Sequence, residues 1–235
     1  MKLLVLAGGF GTRLKSVVAD VPKALAPVGG VTFLYLQIEH WVSQGINSFV
    51  FLLHHQADLI VDFIKIEKDG LFKGCDVQWI IEPTPMDTGG ALAYAIQQLN
   101  ISGDFMVSNA DTWLGAGVSE VRQENSPSIA VLNVPDASRY GSVKFNEEGI
   151  ITAFIEKSDL VGGGWINAGL SHLHTDLFKD WDRQPFSLER DKFPLWVSQG
   201  ILKAVPLEFS FIDIGIPDDY FRFCRWIELK KVGML

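Results

Sequence analysis

The stretch from Leu6 to Leu25 reads LAGGFGTRLKSVVADVPKAL, and it constrains the fold more than any other part of the chain. A short apolar run, Leu3–Ala7, leads straight into Gly8-Gly9-Phe10-Gly11-Thr12-Arg13, and Pro22-Lys23 follows further on. This is the pattern of a buried strand feeding a glycine-rich loop whose backbone approaches a polyphosphate. Glycine suits such a loop where a Cβ would block the approach or where φ must be positive. Backbone N–H groups, Arg13 and Lys23 would then supply positive potential to the phosphates. Two better-known glycine motifs do not fit. A dinucleotide fingerprint needs a third glycine three residues after the second, but Gly11 is followed by Thr12, Arg13 and Leu14. A P-loop needs Lys-Ser or Lys-Thr directly after its last glycine, and Thr12-Arg13 stands there.

The 235 residues fit one domain large enough to bury a substantial core. A net charge of −8 argues against a broad basic face for nucleic acid and requires positive groups to be concentrated locally, as at Arg13 and Lys23. Cys75 and Cys224 are the only cysteines, so there is no disulfide framework and no CxxC metal pattern. Both are expected as small core residues. The apolar start is too short for a signal peptide, and no segment approaches transmembrane length. The expectation is a cytoplasmic protein without a membrane partner.

Leu34, Ile38, Trp41 and Val42 recur at helical spacing, with Gly45 as the stop. Ser48–Leu53 and Val77–Ile81 read as strands. Leu59, Ile60, Phe63 and Ile64 mark a second helix, and Leu92, Ala95, Ile96 and Leu99 a third. Phe105–Val107 then leads to Ser108-Asn109-Ala110-Asp111. Such alternation predicts a parallel sheet with helices on both faces, a Rossmann-like α/β three-layer sandwich. Ligands in these sheets sit beyond the carboxyl ends of the strands, which places the opening loop, Glu82 and Asp111 on one edge. The second half predicts short strands at Ile129–Val134, Ser142–Phe145, Ile150–Ile155 and Ile166–Leu173. Short helical pieces follow near Leu177 and Leu188, then strands at Leu202–Val205 and Phe211–Ile214. A last helix starts at Pro217 and buries Tyr220, Phe223, Cys224 and Ile227.

The opening string resembles the signature of the sugar-1-phosphate nucleotidyltransferases, roughly GGxGTRL and then PKP. Gly8 to Leu14, Pro22 and Lys23 match; Ser16 and Ala24 replace prolines. The resemblance covers nearly the whole chain and implies a mostly parallel, mixed sheet. Residues 1–125 would form the nucleotide-binding half and 126–235 the sugar-phosphate-binding half. Leu6, Ala7, Gly8, Gly9, Gly11, Thr12, Thr88, Gly89 and Asn109 would line the nucleotide site. Glu82 would read the base, since a carboxylate accepts from both guanine N1–H and the 2-amino group. Asp87 stands where many members have glycine. Asn109-Ala110-Asp111-Thr112 and Asp213-Ile214-Gly215-Ile216-Pro217 resemble the segments that hold Mg²⁺, through Asp111 and Asp213. Both acids lie in apolar surroundings, where an unpaired charge is expensive. Glu156-Lys157, Asn167-Ala168-Gly169, Tyr140-Gly141 and Glu189 resemble parts of the sugar-phosphate pocket. The five histidines match no metal spacing, and no Ser/His/Asp set stands out.

The implied chemistry joins GTP to a sugar 1-phosphate, with Arg13, Lys23 and Lys157 as the catalytic cations. Within the family, GTRLKSVVADVPK and FIDIGIPDDY look most like the D-glycero-D-manno-heptose 1-phosphate guanylyltransferases. Mannose-1-phosphate guanylyltransferases and N-acetylmuramate-1-phosphate uridylyltransferases are close rivals. A glycosyltransferase would show Asp-x-Asp where Asn109-Ala110-Asp111 stands, and a silent regulatory homologue would lack Arg13, Lys23 or a metal aspartate. Exposed aromatic residues among the seven tryptophans would mark a homodimer surface.

Overall fold

The apolar run at the start becomes β1 (Lys2–Leu6), with Leu3, Leu4 and Val5 fully buried. A computed structural model describes residues 1–155 and 162–233. After β1 come 3₁₀ turns at Thr12–Leu14 and Lys23–Leu25, then a small hairpin of β2 (Pro27–Val28) and β3 (Val31–Thr32). Helix and strand then alternate through α1 (Phe33–Ser43), β4 (Ser48–Leu53), α2 (Ala57–Ile66), β5 (Asp76–Ile81), α3 (Asp87–Gln98) and β6 (Asp104–Asn109). The second half runs β7 (Thr112–Leu114), α4 (Val118–Gln123), β8 (Ser128–Val134), β9 (Ser142–Phe145), β10 (Ile151–Ile155) and β11 (Gly164–His174). It ends with α5 (Phe193–Ser198), β12 (Lys203–Leu207), β13 (Phe211–Asp213) and α6 (Pro217–Lys231).

One nine-stranded sheet carries both halves. Its order is β10-β9-β11-β6-β1-β4-β5, with β8 pairing β11 and β12. β6, β1, β4 and β5 run parallel, while β11 crosses over antiparallel to both β6 and β8. Successive strand residues face opposite sides. Leu3, Val5, Phe49 and Phe51 therefore join α1 and α2 in one core, and Leu4, Val50 and Leu52 join α3 and α5 in another. Each such fully buried side chain contributes roughly 1.5–3 kcal/mol. A third cluster binds α6 to the opening loop and the small ladders, through Leu14, Phe33, Trp113, Ile212 and Phe223.

The predicted strands and long helices are present, with shifted details. In α2 the buried set is Ala57, Ile60, Val61 and Ile64, spaced as one helical face, and Leu59 turns outward. In α6 Cys224 is only half-buried, and the carboxylate of Asp219 lies inside, paired with Arg139 and Arg222. Cys75 too is half-buried, at a core margin. The β2–β3 hairpin, β7 and α4 carry too few residues for a periodic signal. Trp79, on edge strand β5, is the one exposed tryptophan. Among the described residues no helix is long and apolar enough to cross a membrane.

Candidate active site

The carboxyl ends of β1, β5 and β6 and the bulged middle of β11 open onto a cleft of about 670 Å³. A smaller hollow of about 260 Å³ continues from it and shares Leu6, Gly9, Phe10, Arg13 and Asp111. Ala7, Gly11, Thr12 and Lys23 line the hollow; Gly8, Glu82, Thr88, Asn109 and Asp213 line the main cleft. The glycines of the opening loop divide by cause. Gly11 has φ +58°, and a Cβ on Gly8 would come within 3.1 Å of Glu82 Oε1. A Cβ on Gly9 would meet nothing, so that position is free to sit against a ligand.

Beside the opening loop, the ladder between β7 and β13 does what sequence distance concealed. It pairs Thr112 with Asp213, and the Ile214 N–H donates to Asp111 O at 3.0 Å. The two acids are thereby brought onto one cation. Lys23 Nζ lies 2.5 Å from Asp111 Oδ2 and 3.5 Å from Asp213 Oδ1, with its side chain only 12% exposed. Burial works to raise the Asp111 carboxyl, but the Lys23 ammonium and hydrogen bonds from Lys23 and Thr112 hold it below the ordinary range. Asp213 is pushed the other way, by burial and then by the charge of Asp111. Two acids sharing one ammonium leave excess negative charge, which suits a further cation. Among the described residues no three His, Cys, Asp or Glu side chains gather as a metal cage. Two carboxylates alone match Mg²⁺, which is usually held by one or two carboxylates together with substrate phosphates and water.

At the other end Glu82 closes β5. It is 7% exposed, and its Oε2 accepts from the Met86 N–H at 2.9 Å. Burial raises its carboxyl above the usual range, the Met86 bond opposes this, and the charge of Asp87 adds to the rise. Thr88 Oγ donates to Glu189 Oε2 at 2.7 Å and accepts from the Leu188 N–H at 2.9 Å, while Ser187 Oγ also donates to Glu189. Glu189, expected at the sugar phosphate, is thus fastened to the start of α3. At Gly89 the N–H donates to Phe186 O, and a Cβ there would strike the Phe186 ring at 2.1 Å. Its glycine is required by packing.

Tyr140, Gly141, Asn167 and Gly169 line the same cleft from the second half. The Asn167 N–H donates to Gly141 O at 2.9 Å, and Asn167 Oδ1 accepts from the Gly169 N–H at 3.1 Å. Glu156 and Lys157 lie outside the described residues. Arg139, His54 and Phe10 also line the cleft and were not signalled by the sequence. Arg139 bonds to Asp219 of α6 and to the Tyr140 hydroxyl, a contact across eighty residues that no local pattern announces.

The chain matches the nucleotidyl transferase family over residues 2–227. A D-glycero-alpha-D-manno-heptose 1-phosphate guanylyltransferase of Campylobacter jejuni is 32% identical over 95% of this chain and 98% of its own length. A probable mannose-1-phosphate guanylyltransferase of rice (Oryza sativa subsp. japonica) is also 32% identical, but this chain spans only 64% of it. The crystal structure of HddC from Yersinia pseudotuberculosis superposes with a TM-score of 0.84 at 34% identity, covering 96% of this chain and 99% of that one. The same protein complexed with GMP-PN gives 0.83. With a glycine-rich loop, two converging acids and a buried lysine on the carboxyl edge of its sheet, the chain belongs to the nucleotidyl transferase family.

Proposed function

We propose that the chain transfers GMP from GTP onto D-glycero-α-D-manno-heptose 1-phosphate, giving GDP-heptose and pyrophosphate. The observation that carries this reading is the gathering of Lys23, Asp111 and Asp213 beside Arg13 at one end of a cleft whose other end holds Glu82. Support for the base comes from the guanylyltransferase names of the relatives and from the neighbour complexed with GMP-PN. Support for the heptose comes from the relative of that name, 32% identical over 95% of this chain. Mannose 1-phosphate is the second reading, favoured by its equal 32% identity.

The attacking oxygen belongs to the sugar phosphate, whose second pKa of about 6 leaves it mostly dianionic near pH 7. It forms a bond to the α-phosphorus of GTP as the bond to the β-phosphate oxygen breaks, and pyrophosphate leaves with that electron pair. No general base is required. The task is to bring two anions together and to stabilise charge on the leaving group, that is, positioning and electrostatics. Arg13 neutralises the β- and γ-phosphates. Lys23 turns from the acids toward the α-phosphate, and Lys157 holds the sugar phosphate. Asp111 and Asp213 are the residues that would hold Mg²⁺, which supplies charge neutralisation at the phosphates. Glu82 accepts from the guanine, and Tyr140, Gly141, Glu156, Asn167 and Gly169 receive the sugar. Pyrophosphate release, measured with Mg²⁺ over four nucleoside triphosphates and a panel of sugar 1-phosphates, tests the reading. GTP with the heptose phosphate should dominate. A preference for mannose 1-phosphate would select the second reading, and no release with any pair would remove both.

A further inference from the structure

We propose that Arg190 reads the O6 and N7 edge of the guanine base, and that Asp87 is the positioning residue that aims it; this rests on the guanylyl reading above. Asp87 holds a left-handed φ of +57° at the first position of α3. Such a conformation is unfavourable for a non-glycine residue and persists where the surroundings impose it. Its carboxylate has two tasks. Oδ1 accepts from the Thr88 N–H at 2.8 Å, and Oδ2 accepts from Arg190 Nη2 on the turn packed beside it, across 103 residues of chain. The wall that presents Arg190 is itself built with care. A single π-helical turn, Leu188–Lys192, starts at Ser187, whose Oγ accepts from the Arg190 N–H and whose N–H donates to Asp191 Oδ2 at 2.7 Å. One-turn π segments recur at functional sites.

Glu82 alone reads only half of the base. Its Oε2 is engaged by the Met86 N–H, and its Oε1 faces the opening loop at Gly8. That oxygen takes the donor half of guanine, N1–H and the 2-amino group. The acceptor half, O6 and N7, calls for paired donors, and an arginine fork matches it bidentately. A guanidinium carries five N–H groups. Among the described residues Arg190 uses its side chain only toward Asp87, and it lines the cleft together with Glu82 and Asp87. A fork held by a carboxylate loses little freedom on binding. The pair also rejects adenine, which presents an amino group where guanine has O6.

The test compares kcat/KM for GTP, 7-deaza-GTP, which lacks N7, and ITP, which lacks the 2-amino group, in the full chain and its variants. In the wild-type chain 7-deaza-GTP should be about tenfold or more worse than GTP. In Arg190→Ala, GTP should fall to that level or below it, since the O6 contact goes too, and the N7 penalty should vanish, while the ITP penalty, set by Glu82, stays. Arg190→Lys should not restore the penalty, because a point charge is not a fork. Asp87→Gly relieves the left-handed strain, so its melting temperature should not fall while its N7 penalty shrinks; a merely structural Asp87 would lose stability and keep the penalty. Equal turnover of GTP and 7-deaza-GTP by the wild-type chain, or an undiminished N7 penalty in Arg190→Ala, overturns the inference and leaves the guanylyl reading intact. Turnover of UTP in place of GTP overturns both.

Discussion

The two ends of the cleft are held by different forces. The end proposed for the phosphates is an ionic knot: Lys23, 12% exposed, between the side chains of Asp111 and Asp213, with no neutral group sharing the ammonium among the described residues. The base end is a lattice of hydrogen bonds in which Met86, Thr88, Leu188 and Ser187 each satisfy a partner on the facing wall or turn. Its ion pair, Arg190 with Asp87, stands in solvent, with the arginine side chain 60% exposed. The contrast assigns labour. Buried charge lowers a barrier because little water competes with it, whereas a directional lattice selects a shape. Variants at the first end should change rate and stability, and those at the second should change which nucleotide is used.

The largest effect is expected at Lys23. Lys23→Met leaves two acids facing each other, which should lower stability by about 3–5 kcal/mol and kcat by about 10²–10³. Mg²⁺ should raise the melting temperature of this variant more than that of the wild-type chain; an equal rise in both would detach the acids from the metal. Arg13→Ala, which breaks no ion pair among the described residues, should lose a similar factor in kcat with no change in melting temperature. A variant with wild-type turnover would take Arg13 out of the reaction.

At the base end the changes should be smaller and of another kind. Glu82→Gln should reduce the preference for GTP over ITP by about tenfold to a hundredfold and leave kcat with bound nucleotide nearly unchanged. A drop in kcat with discrimination intact would contradict the division of labour. The same carboxyl gives a pH signature. Burial raises Glu82, so on acidification it gains its proton sooner than an ordinary carboxylate, and KM for GTP should rise on that acid limb. The stability sign is opposite. A folded value above the unfolded one favours the neutral form, so the contribution of Glu82 to folding falls as pH rises through the window between the two. Glu82→Gln should flatten both profiles. Least of all, Lys2→Ala removes the exposed Lys2–Asp76 pair and should shift stability by under about 1 kcal/mol, with kinetics unchanged.

The same contrast explains how far the sequence could be read. The strand after Met1, the loop at Gly8–Arg13 and the alternation through β6 are local patterns, and each puts its residue at a strand end whose direction the fold rule supplies. Glu82 and Asp111 were legible for that reason. The meeting of Asp111 with Asp213 was legible only through the family resemblance, because β7, the partner of the foreseen strand β13, has three residues and no period. Arg139 was hidden, since its partner Asp219 is a polar residue buried on a helix whose apolar stripe gives no hint of it. Gly89 carries a constraint that no local pattern announces, since the Phe186 ring leaves no room there for a Cβ.

The central claim, that the opening loop grips the triphosphate while the two acids anchor its metal, is tested most directly by a crystal structure with a non-hydrolysable GTP analogue and Mg²⁺. The account predicts β- and γ-phosphates against Gly8–Arg13, the ion joined to both Asp111 and Asp213, and Lys23 turned from the acids toward the α-phosphate. A triphosphate lying elsewhere in the cleft, or an ion that leaves the Lys23 bridge undisturbed, would contradict it.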